Sequence, residues 1–387
     1  MSGTRDLGVS IVGVGETSFT RGDPRSATQL AVDAVRAALA DAGLDGRDVD
    51  GFLLEGTGGP HDTPVDLVAA AIGAEERGFG LRLQKAGAGL VGAPAVAAAA
   101  IAAGLASTIV VYFGLSMSRA SAGATGIHAA DPVKAALEMP FGWHGQAVYF
   151  AGTARRYDHE FGGLTETLGG LAVSARAHAA LTPGAIRTKP LSVDDYLAEA
   201  PVAEPLRRSD CCLINDGGVA YVLTSQERAR DLRRPPVEVA GCAVASKHTT
   251  FSDYFTQAPD LLTTAAADSS RRAYAQAGIG PADVDLVEIY DCFTISLLLQ
   301  LEDMGFAPKG GGGELVASGA VAPGGRRPVN THGGLLAHSY MVGGSHVVEA
   351  VRQLRGERAD AQVAGARVAA VAGLGIPDHA TLVLTRP

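Results

Sequence analysis

The sequence predicts a layered α/β fold made of two similar halves, and two observations support this. Short apolar runs that are typical of buried strands alternate with helical patterns along the chain. A segment from Ala42 to Asp50 also recurs from Ala277 to Asp285, and both copies read as a helix end, a glycine turn and a strand. We expect the halves to span residues 1–230 and 231–387, each with its own sheet.

The first copy of the repeat contains clear helix and strand signals. Ser26 and Gln29 form a capping-box pattern, and Gly43 suits the end of the helix that follows. The strand Gly51–Glu55 comes next, as Val284–Tyr290 does in the second copy. Further buried strands are expected at Val9–Val12, Thr108–Phe113, Gly218–Leu223, Val237–Val239 and Val368–Val371.

No charged residue occurs from Ala86 to Ser118, a length that could span a membrane. The alanine-rich part and the β-branched run after it instead predict a buried helix followed by a buried strand. The helix would begin near Gly87 and carry Pro94 in its interior, where a kink is expected. We therefore predict no membrane span.

Between about residues 121 and 204 the pattern becomes irregular, with several prolines among polar helices. Such a stretch inside a regular fold predicts an inserted loop subdomain that covers the core. We expect this insertion to shape a substrate pocket.

The bulk properties exclude several classes of protein. The net charge is -9, without the basic stripe that nucleic-acid binding requires. The four cysteines show no metal-ligand spacing, which predicts reduced thiols, no metal site and a cytoplasmic location. The first residues also lack the order of a signal peptide.

Several motifs follow one another in a recognisable order. They are DCC at 210–212, DGG at 216–218, YDCFT at 290–294, NTHGG at 330–334 and VRQLRG at 351–356. Together they resemble the sterol-carrier-protein and lipid-transfer branch of the thiolase superfamily over nearly the whole chain. This resemblance implies the duplicated, five-layer αβαβα thiolase fold.

The same resemblance shows what this chain lacks. Thiolases carry a cysteine nucleophile at the start of the buried helix, where this chain has Ala86. Tyr340 stands where their histidine is expected, and Tyr290 replaces a further histidine of the sterol-carrier branch. Their second cysteine would fall within Val371–Gly375, which contains none. Claisen chemistry is therefore not expected.

Tyr290 and Tyr340 resemble the catalytic pair of thiolase-fold aldolases that cleave steroid side chains. The resemblance implies retro-aldol cleavage of a bulky β-hydroxyacyl-CoA, such as a steroid side-chain thioester, to a ketone or aldehyde and a shorter acyl-CoA such as propionyl-CoA or acetyl-CoA. One tyrosine would act as the base and the other as the acid, and the sequence does not assign these roles. With an ordinary pKa near 10, forming a phenolate at neutral pH costs about 4 kcal/mol. The site therefore has to lower the pKa of the tyrosine that acts as the base.

Other residues are candidates for supporting roles. Asp291 is expected to cap the helix that begins at Phe293. His332 is a possible participant in catalysis, because it lies near the predicted active-site loop that contains Tyr340. Gly344 and Gly375 complete the set of possible supporting residues, whereas His338 is interpreted as structural. Cys292 could serve as a substitute nucleophile, although a small buried side chain is the simpler interpretation, and Cys211 and Cys212 are expected to pack behind the pocket.

Two alternative functions stay open at this point. A Cys-independent acyltransferase would need Cys292 or an external nucleophile, and a non-catalytic lipid or acyl-CoA carrier would need neither tyrosine. The resemblance further implies a homodimer and a small OB-fold or zinc-ribbon partner protein. No cofactor is implied beyond the coenzyme A portion of the substrate.

Overall fold

The computed structural model describes residues 7–56, 63–117, 132–247, 260–375 and 377–386. Its strands are β1 (Val9–Glu16), β2 (Gly51–Glu55), β3 (Phe79–Leu83), β4 (Thr108–Ser116), β5 (Pro201–Ala203), β6 (Leu206–Arg207), β7 (Asp216–Ser225), β8 (Val237–Ser246), β9 (Leu286–Ile289), β10 (Val368–Gly375) and β11 (Asp378–Thr385). Its α-helices are α1 (Ala27–Ala42), α2 (Val65–Ile72), α3 (Gly87–Ala102), α4 (Pro132–Leu137), α5 (Gln146–Phe161), α6 (Leu164–Ala180), α7 (Val193–Leu197), α8 (Gln226–Ala229), α9 (Ala266–Ala277), α10 (Thr294–Asp303), α11 (Gly312–Ala317), α12 (Gly334–Ala337) and α13 (Gly344–Arg355).

The predicted repeat of helix, turn and strand is confirmed. The capping box of Ser26 and Gln29 starts α1, and Gly43 ends it in the left-handed region with φ 75°. Gly278 ends α9 in the same way with φ 70°. In both copies a short 3-10 turn then leads into a strand, β2 or β9.

The strand pairing is also duplicated. In the first half the order is β3-β2-β4-β7-β1, and in the second it is β9-β10-β11-β8. The β2–β4 and β9–β10 pairs are parallel, whereas β4–β7, β7–β1, β10–β11 and β11–β8 are antiparallel. The counterpart of β3 in the second half is reduced to one parallel bridge between Val287 and Val329.

The expectation of one separate sheet in each half needs a correction. The two blocks of strands join into a single nine-stranded sheet, because β1 pairs with β8 through Ser10–Glu238 and Ile11–Val237. This seam is only two residue pairs long. Since strands twist progressively across a sheet, the blocks can still lie on opposite sides of the central helices.

Five layers result from how the helices pack. α1 and α2 cover the outer face of the first block, α9 and α10 cover that of the second, and α3 and α13 lie between the blocks. α3 continues through Pro94 as one helix. Pro94 cannot donate to the Leu90 carbonyl oxygen, and the hydroxyl of Tyr221 donates to that oxygen instead.

The described part of the predicted insertion holds α4 to α7 and the strand β5, whose partner strand β6 lies just beyond residue 204. Residues 118–131 lie outside the described chain. The described part packs on α10 of the second half. The rings of Phe150 and Phe293 stack with centroids 4.5 Å apart, and the Tyr157 hydroxyl donates to Glu302 at 2.5 Å. Within the described chain, no helix is both long and apolar enough to cross a membrane.

Candidate active site

The two predicted tyrosines lie in contact with each other. Tyr290 directly follows β9, and Tyr340 lies between α12 and α13. Their hydroxyl oxygens are 3.0 Å apart, and their ring centroids are 6.4 Å apart at an interplanar angle of 68°. Tyr290 is only 5% exposed, whereas Tyr340 is half-buried. One hydroxyl therefore donates a hydrogen bond to the other.

Three contacts fix Tyr290. Its backbone N–H donates to Ala372 of β10 at 2.9 Å, and its carbonyl oxygen accepts from Gln300 of α10 at 2.8 Å. Its ring packs against Gly87, where an added Cβ would lie 2.4 Å from Cε2. The first turn of α3 thus forms one wall behind the ring.

Tyr340 is held from the first half of the chain. Its backbone N–H donates to Oδ1 of the buried Asn215 at 2.7 Å. Two residues later Val342 has φ 41°, a rare conformation for a β-branched residue, and Gly343 follows with φ 87°. Such backbone strain is typical of functional sites, where surrounding contacts enforce it.

Ala86, at the position of the missing nucleophile, precedes α3 with φ 46° and ψ −128°. This conformation is unfavourable for alanine and costs about 1–3 kcal/mol. Gly375 approaches closely, because a Cβ on it would lie 1.7 Å from the Lys85 carbonyl oxygen and 3.3 Å from the Ala86 methyl group. A methyl group thus occupies this position and offers no nucleophilic atom.

The expected capping role of Asp291 is wrong. Its carboxylate accepts the N–H of Leu335 at 2.7 Å and lies 3.2 Å from Nε2 of His346. α10 is instead capped by Ser296, whose hydroxyl accepts the Phe293 N–H at 3.2 Å. The chain turns after Tyr290 so that Asp291 points towards α12 and α13.

His332 and His338 are buried in a cluster with His346. Their ring centroids lie 4.8 Å (His332–His338) and 5.0 Å (His332–His346) apart. Burial alone would lower the pKa of His332, but the Glu288 carboxylate 3.0 Å away, together with Glu349 and Glu16, outweighs burial and raises the pKa. Burial and the neighbouring His332 hold the pKa of His338 well below its usual value.

Among the described residues, no group of three or more histidine, cysteine, aspartate or glutamate side chains has an arrangement that could hold a metal ion.

The remaining predicted residues lie around the tyrosines. Gly344 starts α13 and packs tightly, because a Cβ there would lie 2.5 Å from Val219 and 2.9 Å from Leu90. The Cys292 thiol contacts Ser296, and burial raises its pKa to about 12, which opposes the thiolate form. The segment of Cys211 and Cys212 runs beside it, since the Cys212 N–H donates to the Cys292 carbonyl oxygen at 3.0 Å.

Two residues of the site were missed from the sequence, Asn215 and Glu55. Asn215 directly precedes the DGG motif, which was a usable signal. Glu55 ends the apolar strand β2, and a carboxylate at the end of a fully buried strand is unusual. Glu55 is 2% exposed and accepts the Lys85 N–H at 3.1 Å, one residue before Ala86.

The environment of Tyr290 determines its ionisation. Burial raises the pKa of the Tyr290 phenol well above its usual value, and the neighbouring Tyr340 hydroxyl raises it further. Both effects favour the neutral phenol form of Tyr290 at physiological pH.

Comparisons with known proteins show which family this architecture resembles. Residues 243–386 match the family described as thiolase C-terminal domain-like. The steroid side-chain-cleaving aldolase of Thermomonospora curvata is 37% identical over 382 residues, which cover 95% of each chain. The 17-hydroxy-3-oxo-4-pregnene-20-carboxyl-CoA lyase of Mycobacterium tuberculosis is also 37% identical, over 95% of this chain and 97% of its own.

The chain belongs to the thiolase superfamily.

A solved structure supports the assignment to the thiolase superfamily. The structure described as the Ltp2-ChsH2(DUF35) aldolase superposes with a TM-score of 0.91 at 35% identity and covers 99% of both chains. The predicted thiolase fold and the resemblance to the steroid side-chain aldolases are therefore confirmed.

Proposed function

We propose that this chain is a carbon–carbon lyase that cleaves a bulky β-hydroxyacyl-CoA, such as a steroid side-chain thioester, by a retro-aldol reaction. The observation that carries this proposal is the 3.0 Å hydrogen bond between Tyr290 and Tyr340, beside a helix start that holds Ala86 in place of a nucleophile. The relatives at 37% identity are named as an aldolase and a lyase, which supports the same reaction type.

The buried state of Tyr290 favours one assignment of roles. We assign the acid to Tyr290, because its raised pKa keeps the proton on the phenol until a strongly basic carbanion forms. The base is then Tyr340, the half-buried member of the pair.

The proposed reaction balances without an oxidant or reductant. Ionised Tyr340 takes the proton of the β-hydroxyl group, the bond between Cα and Cβ breaks, and its electron pair forms the thioester enolate. The β-carbon leaves as a ketone or aldehyde. Tyr290 then protonates the α-carbon, and the proton on Tyr340 returns to Tyr290 through their hydrogen bond. No cofactor is needed beyond the coenzyme A portion of the substrate.

The alternative functions have less support. An acyltransferase needs a thiolate, and both the Ala86 methyl group and the raised pKa of the Cys292 thiol oppose one. A carrier would not need two tyrosine hydroxyl groups in contact with each other.

Mass spectrometry of the coenzyme A products tests the proposal. We expect wild type to release a shorter acyl-CoA and a ketone or aldehyde, and Tyr290→Phe and Tyr340→Phe each to lower kcat about 100- to 10,000-fold. Tyr274→Phe is the matched control, since the Tyr274 hydroxyl is buried on α9 and has no hydrogen-bond partner among the described residues. Tight binding of the thioester without cleavage by wild type would favour the carrier.

Partners are a further part of the proposal. We propose a homodimer that pairs through the edge strand β3, whose Gly80, Leu81 and Arg82 are exposed. Leu81→Glu is then expected to yield monomers in sedimentation velocity, whereas Val202→Glu, at an exposed site on β5, is not. We also propose the small OB-fold or zinc-ribbon partner protein that the resemblance implies, and the similar structure supports a partner because it is described with a second component, ChsH2(DUF35).

We place the reaction in the cytoplasm, whose reducing conditions suit the free thiols of all four cysteines.

A further inference from the structure

A buried carboxyl group lies against the first turn of α3. Glu55 ends β2, and its Oε1 accepts the Lys85 N–H at 3.1 Å. Its Oε2 is buried and has no hydrogen-bond partner in the part of the chain that the structure describes. A Cβ on Gly89 would lie 1.6 Å from Oε2, so only glycine leaves room for the carboxyl group there.

The same turn supports the tyrosine pair. Gly87, two residues before Gly89, forms the surface against which the Tyr290 ring packs. Lys85 and the strained Ala86 connect the Glu55 contact to that surface. Movement of the Lys85–Ala86 peptide would therefore shift the wall behind Tyr290.

The surroundings of Glu55 favour its uncharged form. Burial raises the pKa of Glu55 to about 8, the N–H groups of Lys85 and Ala86 and the Lys85 ammonium group act against this, and Asp378 adds to it. The Lys85 ammonium group pairs with Asp378 at 2.9 Å. On the neighbouring strand β3, Arg82 is in register with Leu54, so its side chain lies on the opposite face of the sheet from that of Glu55.

We propose that Glu55 is a positioning residue of this site: its uncharged carboxyl group holds the Lys85–Ala86 turn, and with it the Gly87 surface that supports Tyr290. Ionisation would place a charge on a buried oxygen that accepts no hydrogen bond from the described residues, so the turn must open to hydrate it. Since the neutral form is the working form, activity is lost as the pH rises through about 8. This inference rests on the proposed lyase function.

Substitutions at Glu55 test the role through the pH profile of kcat. Glu55→Ala is expected to lower kcat about 10- to 100-fold at pH 7, because the turn loses its acceptor. Glu55→Gln, which resembles the neutral acid, is expected to recover most of that loss and to lack the decline that wild type shows above pH 8. A Glu55→Gln variant that is as inactive as Glu55→Ala, or that keeps the wild-type decline, overturns the proposal.

The neighbouring charges give a test in both directions. Lys85→Met removes a group that lowers the pKa of Glu55, so the decline is expected to move to higher pH. Asp378→Asn removes a group that raises it, so the decline is expected to move to lower pH. Shifts of the opposite sign, or none, contradict the proposal.

Hydrogen exchange separates this inference from the lyase activity itself. Protection factors of the amides of residues 86–89, corrected for the intrinsic effect of pH, are expected to fall above pH 8 in wild type and to persist in Glu55→Gln. Equal protection in both proteins overturns the positioning role even if the enzyme cleaves its substrate. Failure of wild type to cleave, with this difference in protection present, overturns the lyase proposal and leaves the Glu55 contact established.

Discussion

Gly87 lies in direct contact with the ring of Tyr290. A methyl group added at Gly87 would lie 2.4 Å from Tyr290 Cε2 and 2.3 Å from the Leu374 carbonyl oxygen. Glycine at this position therefore lets the start of α3 approach the tyrosine pair.

Gly87→Ala is expected to displace the Tyr290 ring, because the carbonyl oxygen on the other side cannot yield. We expect kcat to fall about 100-fold and the free energy of unfolding to fall by about 1–3 kcal/mol. Gly280→Ala is the control, since its nearest neighbour would be 3.9 Å away. Wild-type kcat in Gly87→Ala would contradict the contact.

Asn215→Ala is expected to lower kcat about 10- to 100-fold, because the backbone of Tyr340 loses its acceptor and the hydroxyl moves. A double-mutant cycle with Tyr340→Phe checks this. If Asn215 acts through Tyr340, then Asn215→Ala should have little further effect on kcat in the Tyr340→Phe background. Independent, additive losses would show a different role.

Asp291→Ala is expected to lower the free energy of unfolding by about 3 kcal/mol, because the Leu335 N–H and the His346 ring lose their buried acceptor. Urea denaturation measures the loss. Asp268→Asn, which removes an exposed ion pair with Arg271, should change stability by less than about 1 kcal/mol. Similar values for both variants would contradict the buried role of Asp291.

His379 makes the protein sensitive to acid. Burial lowers its pKa to about 3, and the neutral ring bonds Ser269 at 2.7 Å and Gln300 at 3.1 Å. The unfolded chain takes up a proton below about pH 6.5 and the folded chain does not, so stability falls as the pH drops from 6.5 towards 3. We expect this group to account for about 2 kcal/mol between pH 7 and pH 5. Urea denaturation of His379→Gln should show a pH dependence smaller by that amount, and an unchanged dependence would contradict the assignment.

The tyrosine pair and the repeat could be predicted from the sequence, because each rests on local order or on motifs that keep their spacing. The contacts of Asp291 could not, because its partners lie 44 and 55 residues further along the chain. A helix cap is the favoured local role of aspartate, and tertiary packing outweighed it.

Glu55 and the β1–β8 seam were missed for related reasons. The sequence shows Glu55 as the polar end of a strand, and only the packing of Gly89 against it reveals a buried acid. Pairing between β1 and β8 depends on how two remote blocks of strands curve, which periodicity along the chain does not report. The single sheet in place of two is a consequence of that curvature.

The seam between the two blocks of strands also bears on how this enzyme could be divided. Its hydrogen bonds join the halves at only two residue pairs, whereas the tyrosine pair depends on Gly87 and Asn215 from one half and on β9 and α13 from the other. The chain passes from one half to the other between α8 and β8. If the two halves are expressed as separate fragments, divided between α8 and β8, the fragments should associate and restore activity. Catalytic turnover would then report the association of the fragments.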